Sequence, residues 1–156
     1  MEFRLAKEKD IPRILELLSQ VLEVHAQIRP DIFISGTTKY TSDELKELIN
    51  NPNTPIVVAL EEYIVGYAFC RINEVNNSNM YRTKTLFVDD LCVDEINRGQ
   101  NIGKEIMDYV HLYAKQLECK TIILNVWEGN EGALNFYNKL GFKKRSYLME
   151  MEVNDE

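Results

Sequence analysis

One stretch of the chain, residues 86–104, constrains the fold most, because it runs from a β-rich segment through a glycine-containing turn into a helical pattern. A helix start offers unpaired backbone N–H groups and the positive end of the helix dipole, where phosphate binds readily. Gly99 and Gly103 remove side chains that would block a pyrophosphate, and Arg98 and Lys104 add positive charge. The alternative is a plain strand-to-helix turn without a ligand.

Two other glycine-rich phosphate loops do not fit this stretch. A Walker loop has four residues between its glycines and a Ser or Thr after its lysine. Here three residues separate Gly99 from Gly103, and Glu105 follows Lys104. The dinucleotide-binding pattern Gly-x-Gly-x-x-Gly is also absent from the sequence.

The order of predicted elements indicates a mixed α/β sheet with helices on both faces. The spacing from Thr41 to Glu44 is that of a capping box, Asp10 stands before the first helical pattern as a cap, and Gly141 ends the last one. Apolar periodicity predicts the following order: a strand at 3–6, a helix from 11, a short helix to about 50, strands at 56–60, 64–72 and 85–93, a helix from about 99, a strand at 121–126, a helix at 130–140 and a last strand at 147–153.

Composition excludes several classes of protein. The chain has 156 residues, which suits one domain, and no apolar run reaches the length of a membrane span. Its start lacks the apolar core of a signal peptide, so a cytoplasmic protein is expected. Three cysteines without a Cys-x-x-Cys pair and two histidines argue against disulfides and metal sites. The net charge of −7 argues against nucleic acid as a partner.

Two motifs resemble the signatures of one enzyme family. Arg98-Gly-Gln-Asn-Ile-Gly103 is similar to the acetyl-CoA signature of GNAT N-acetyltransferases, Gln/Arg-x-x-Gly-x-Gly/Ala. The stretch from Asn130 to Phe142 resembles that family's second signature, Asn-x-x-Ala-x-x-Phe-Tyr-x-x-x-Gly-Phe. The resemblance implies the GNAT fold: a central, mostly antiparallel, twisted mixed sheet with helices on both faces and a splayed strand pair. It covers residues 1–153 as one domain, with 154–156 as a tail.

The first signature departs from the family pattern at one position, because Asn101 stands where its middle glycine is usual. Asparagine tolerates positive φ better than other non-glycine residues. We therefore expect the loop geometry to survive, while the effect on CoA affinity stays open.

The resemblance implies acetyl-CoA as cofactor and no metal. Backbone N–H groups of the loop would bind the pyrophosphate, and main-chain groups of the preceding strand would pair with the pantetheine arm as an added strand would. The implied cofactor-binding residues are Leu91, Cys92, Val93, Arg98, Gly99, Gln100, Asn101, Ile102, Gly103, Lys104, Asn130, Ala133 and Tyr137.

The same resemblance implies direct transfer of acetyl to an amine in a ternary complex. Tyr137 occupies the position of the general acid that protonates the leaving thiolate. Asp89 and Asp90 resemble the acidic pair of polyamine acetyltransferases, which assigns the base to Asp89 and substrate binding to Asp90. Since neighbouring strand residues point to opposite faces, we expect at most one of the two to face a given pocket.

The expected acceptor is a primary amine of a small molecule or a peptide. A polyamine would suit the negative net charge of the chain, and an aminoglycoside or a lysine is also compatible. The competing hypotheses are a non-catalytic acyl-CoA-binding or regulatory module, which would lack the acid, and a protein-interaction domain, which would need neither signature. Homodimers are common in the family, although nothing here demands one. Candidate pocket residues are His25, Arg29, Phe33, Tyr40, Tyr81 and Trp127.

Overall fold

The computed structural model describes residues 1–154. The chain divides into two compact units, with the boundary in the sequence after Asn125. None of the helices in this part is long and apolar enough to cross a membrane. The first unit, Met1–Asn125, contains β1 (Glu2–Leu5), α1 (Ile11–Ile28), α2 (Ser42–Asn50), β2 (Ile56–Leu60), β3 (Ile64–Val75), β4 (Thr83–Val93), α3 (Ile102–Gln116) and β5 (Thr121–Leu124). The second contains α4 (Glu131–Lys139).

The five strands form one sheet in the order β1-β2-β3-β4-β5. All neighbours are antiparallel except β4 and β5, which are parallel because α3 forms the crossover between them. The turn predicted near Glu61 closes the β2–β3 hairpin, where the Glu61 N–H donates to the Tyr63 carbonyl at 3.0 Å. The mixed, mostly antiparallel sheet predicted from the sequence is confirmed.

Helices cover both faces of this sheet, as predicted. On one face, α1 and α2 bury Ile14, Leu18 and Leu45 against Tyr67 and Phe69 of β3. Burying side chains of this size contributes about 1.5–3 kcal/mol each, so this layer makes a large contribution to stability.

On the other face, α3 packs closely on β3 at Gly66. A Cβ placed at Gly66 would lie 2.8 Å from both the Cys92 carbonyl oxygen and the Ile106 Cδ1 atom. Only glycine therefore allows α3 to approach the sheet at this point. The ring of Phe3 in β1 stacks on that of Tyr109 in α3, with centroids 5.6 Å apart.

The two predicted helix starts behave differently. Thr41 forms the predicted capping box, because its Oγ1 accepts from the Glu44 N–H and the Glu44 carboxylate accepts from the Thr41 N–H. Asp10 precedes α1, but its side chain does not cap that helix. Its buried carboxylate accepts instead from the Arg4 guanidinium at 2.7 Å and from the Lys7 N–H at 2.8 Å.

In the second unit, α4 ends as predicted, with Gly141 at φ +99. The predicted final strand at 147–153 is wrong, since no strand is present there and Leu148, Met149 and Val153 are almost fully exposed. Alternating apolar and charged residues indicate which side chains share a face, but a strand also needs a neighbour that supplies hydrogen bonds. Of the predicted tail, residues 155 and 156 lie outside the described part of the chain.

Candidate functional site

The strand β4 changes its surroundings along its length. Residues 85–88 lie between β3 and β5, and the parallel ladder with β5 ends at the pair of Val88 and Leu124. Residues 89–93 continue alongside β3 but have no partner among the paired residues of β5. Among the strands of residues 1–154, none pairs with this second half of β4 on the side opposite β3, which suits its backbone edge to an added hydrogen-bonding partner.

A β-bulge marks the point where the strand opens. Phe69 pairs with Asp90 and Cys70 pairs with Val88, so Asp89 is the extra residue between them. A bulge breaks the alternation of side chains along a strand. Asp89 and Asp90 consequently lie on one face of the sheet, so strict alternation does not hold here, although only Asp89 of the two lines the cleft described below, in keeping with the expectation that at most one faces a given pocket.

Two tyrosines hold this carboxylate pair in place. The Tyr40 hydroxyl donates to Asp89 Oδ2 at 2.6 Å, and the Tyr67 hydroxyl donates to Asp90 Oδ2 at 2.8 Å. Both tyrosine rings pack on Phe69, with Tyr40 stacked at 5.4 Å and Tyr67 edge-on at 4.8 Å between centroids. This shared contact fixes both acids beside one aromatic wall.

The surroundings of Asp89 keep it ionised. Its Oδ2 lies 3.1 Å from Lys39 Nζ, and its Oδ1 lies 3.2 Å from a terminal nitrogen of Arg71. Burial by itself would raise the pKa of Asp89, but the Tyr40 hydrogen bond and the two cations together lower it. A carboxylate held this firmly in its charged form is a weak proton acceptor.

The surroundings of Asp90 act in the opposite direction. Burial raises the pKa of Asp90 to about 6, although the hydrogen bond from Tyr67 partly opposes this shift. The pKa of Tyr67 is raised well above its usual value by burial and by the negative charge of Asp90, so the phenol stays protonated. Of the two carboxylates, Asp90 has the pKa nearer to neutrality.

A cleft of about 310 Å³ opens at Asp89. Its walls combine apolar and aromatic groups with two charged ones and consist of Tyr40, Leu48, Thr54, Phe69, Cys70, Arg71 and Asp89. Of the pocket candidates named from the sequence, Tyr40 lies in this cleft, whereas Tyr81 is 95% exposed and the rings of His25 and Phe33 pack on each other at 5.1 Å.

The loop after β4 is anchored by a buried carboxylate that sequence reasoning missed. Asp94 is 4% exposed and accepts hydrogen bonds from the Arg13 guanidinium and from the Gln20 amide, both on α1. The Gln20 side chain also accepts from the Glu95 N–H at 3.1 Å. These partners lie more than 70 residues apart in the sequence, so no local pattern could reveal the contact.

The backbone of the loop then turns through left-handed conformations. Gly99 has φ +84, and Asn101, immediately before α3, has φ +62 and ψ +16. Asn101 therefore adopts the positive φ that asparagine was expected to tolerate at this position. The first-turn N–H groups of α3 have no carbonyl partner within the helix, so they are available to an anion.

Each of the two charged side chains of the loop contacts one partner within the chain. The Arg98 Nε donates to the Val93 carbonyl at 3.3 Å, and the Lys104 ammonium pairs with Asp108 at 3.0 Å. Both side chains belong to exposed residues. Gln100 is exposed as well, whereas Ile102 is 3% exposed and belongs to the core. The open edge, the left-handed turn and the helix start therefore fit a ligand that has a pyrophosphate and an amide-bearing arm.

The side chain of Cys92 does not face this open edge. Its thiol lies 3.6 Å from the Leu17 carbonyl on the α1 side, and burial raises the pKa of Cys92 to about 12. Only the main chain of Cys92 is suited to the role that the resemblance implies, whereas Leu91 and Val93 are partly exposed.

In the second unit, the residues of the second signature organise their own helix. The Asn130 side chain accepts from the Ala133 N–H at 3.2 Å and so caps α4. The Tyr137 ring lies edge-on to those of Phe136 and Phe142, with centroids 5.2 and 5.5 Å apart. The Tyr137 ring therefore has a fixed position within its unit.

Comparison with protein families gives one extended match. The model of the acetyltransferase (GNAT) family matches residues 18–142, which span the open half of β4, the loop and both signatures.

The chain is also similar to individual proteins, two by sequence and one by structure. The chain is 31% identical over 84 residues to an uncharacterized N-acetyltransferase, MJ1207, of Methanocaldococcus jannaschii, an alignment that covers 54% of this chain and 36% of that protein. It is 25% identical to the spermine/spermidine N(1)-acetyltransferase of Bacillus subtilis, over 87% of this chain and 86% of that one. A tetramutant of the BH1408 protein of Bacillus halodurans superimposes with a TM-score of 0.93 at 29% identity, covering 98% of this chain and 100% of that one.

Proposed function

Because the chain belongs to the GNAT acetyltransferase family, we propose that it transfers acetyl from acetyl-CoA directly to a primary amine in a ternary complex. The observation that carries this proposal is the junction of an open half-strand, residues 89–93, with a left-handed turn at the start of α3. It offers main-chain partners for the pantetheine arm and unpaired N–H groups for the pyrophosphate.

The residues that would hold acetyl-CoA are those of the strand edge and the loop. Main-chain groups of Leu91, Cys92 and Val93 are proposed to bind the pantetheine arm. The backbone of residues 98–104 is proposed to bind the pyrophosphate. Asn130 and Ala133 of the second signature are proposed as further cofactor-binding residues. When bound, acetyl-CoA supplies an activated acetyl thioester, and the chain supplies proton transfer and orientation.

Proton transfer requires a base for the ammonium and an acid for the thiolate. An alkyl ammonium has a pKa of about 10, so it must lose a proton before it attacks. Of the two carboxylates, Asp90 is the proposed base, because burial raises its pKa to about 6, although Asp89 and not Asp90 lines the cleft. Asp89, the base implied by the resemblance, is the weaker acceptor because Tyr40, Lys39 and Arg71 stabilise its charge. We assign the general acid to the Tyr137 hydroxyl.

The test is an acetyl-CoA consumption assay against polyamines, amino acids, aminoglycosides and peptides. Tyr137→Phe should lower turnover at least about tenfold while CoA affinity, measured by calorimetry, stays within about twofold. Tyr147→Phe, which changes a tyrosine that is 77% exposed in the same unit, is the matched control. Equal turnover of Tyr137→Phe and wild type would remove Tyr137 from the acid role. CoA binding without turnover on any amine would favour the non-catalytic acyl-CoA-binding module.

A further inference from the structure

Two cations flank the single carboxylate of the cleft. Lys39 lies in the segment before α2 and Arg71 lies on β3, and both reach Asp89, at 3.1 and 3.2 Å. The Asp89 side chain is 15% exposed, whereas those of Lys39 and Arg71 are 45% and 49% exposed. A solute that enters the cleft therefore meets the two positive groups more readily than the carboxylate.

The carboxylate itself has little capacity left for a further cation. Asp89 Oδ2 already accepts from the Tyr40 hydroxyl and the Lys39 ammonium, and Oδ1 accepts from Arg71. A carboxylate has about four acceptor sites, so a further ammonium would find about one left, on Oδ1. A polyamine, which carries several ammonium groups, would also be repelled by the two cations.

The cations are themselves held in place and keep spare donors. The Arg71 guanidinium lies over the Phe87 ring at 5.1 Å, and the Lys39 ammonium lies 5.7 Å from the centroid of Tyr40. A guanidinium has five N–H donors in a planar fork, and one terminal nitrogen of Arg71 serves Asp89. Such a fork is well suited to bind a second carboxylate in a bidentate manner.

We propose that the acceptor is a primary amine that also carries a carboxylate, and that Lys39 and Arg71 bind this carboxylate at the cleft. The apolar walls formed by Leu48, Phe69 and Cys70 then pack against the alkyl chain between the two groups. This inference rests on the proposed acetyl transfer and narrows its acceptor from any amine to an amino acid or a similar amino carboxylate.

The test compares pairs of acceptors that differ only in the carboxylate, namely L-lysine with cadaverine and L-ornithine with putrescine. Wild type should have a kcat/KM at least about tenfold higher for the amino acid of each pair, in keeping with one charge-assisted contact. Arg71→Gln and Lys39→Gln should each lower this preference at least about fivefold, through a higher KM for the amino acid. The KM for the diamine should be unchanged or lower.

The control is Arg82→Gln, which removes one positive charge at a site 76% exposed and paired with Glu74 outside the cleft. It should keep the wild-type preference, and thermal melting of each variant confirms that it is folded. Equal use of both members of each pair, or preference for the diamine, overturns the inference. Turnover with neither member also overturns it, and turnover with an aminoglycoside or a peptide in the same assay then shows that acetyl transfer itself stands.

Discussion

The two halves of β4 belong to one continuous strand but serve different purposes. In residues 85–88 the strand has β3 on one side and β5 on the other, and Leu86 and Val88 are buried. In residues 89–93 the β5 ladder is absent, a bulge interrupts the pairing with β3, and two carboxylates follow each other. The closed half is paired on both sides, whereas the open half lacks a strand on one side and carries the carboxylates proposed for binding and proton transfer.

The largest expected effect is a difference in the free energy of unfolding between substitutions in the two halves of β4. Leu86→Ala removes a side chain with 0% exposure and should lower the free energy of unfolding by about 2–5 kcal/mol, because it leaves a cavity in the core against the face of the sheet. Leu91→Ala in the open half should cost less than about 1.5 kcal/mol, since that side chain is partly exposed. Urea denaturation of both variants measures the difference, and equal costs would show that the halves are not energetically distinct.

The next effect concerns the loop that follows the open half. Gly103→Glu should weaken CoA binding about 100-fold or more, or about 2.7 kcal/mol, by placing bulk and negative charge where the pyrophosphate is proposed to bind. A glutamate in the first turn of a helix is favourable for the helix itself, so the fold should persist. Calorimetry with CoA checks this, with Gly103→Ala as the milder partner. Unchanged affinity in Gly103→Glu would place the pyrophosphate elsewhere.

The smallest effect concerns the carboxylate next to the bulge. Because the pKa of Asp90 is raised to about 6 in the folded protein, the folded state binds the extra proton and stability falls as pH rises from about 4 to about 6. Asp90→Asn should therefore have the same free energy of unfolding as wild type at about pH 4. At about pH 7.5 its free energy of unfolding should be about 1–2 kcal/mol higher than that of wild type. It should also lose acetyl transfer. A stability difference independent of pH would refute the raised pKa.

Much of the fold could be predicted because local patterns determine it. The hairpin of β2 and β3, the capping box at Thr41 and the left-handed Asn101 all follow from residue types at fixed spacing. The bulge at Asp89 could not be predicted, since it depends on how β3 and β4 pair, and so the common face of the two acids was missed.

The site was predictable only in part for the same reason. The resemblance named the loop and the acids, but Arg13, Gln20, Lys39 and Arg71 reach Asp94 and Asp89 from distant parts of the chain. The strand predicted at 147–153 failed because alternation alone supplies no pairing partner. Contacts between segments far apart in sequence decide charge and pairing, and local sequence patterns do not reveal them.

The most direct test of the open-strand account is amide hydrogen exchange of the whole chain, followed by mass spectrometry with and without CoA. The account predicts that CoA slows exchange in residues 89–93 and 99–104, because their backbone groups gain partners, and leaves residues 85–88 unchanged, because both of their edges are already paired. Bound CoA that protects neither segment, or that protects both halves of β4 equally, would contradict it.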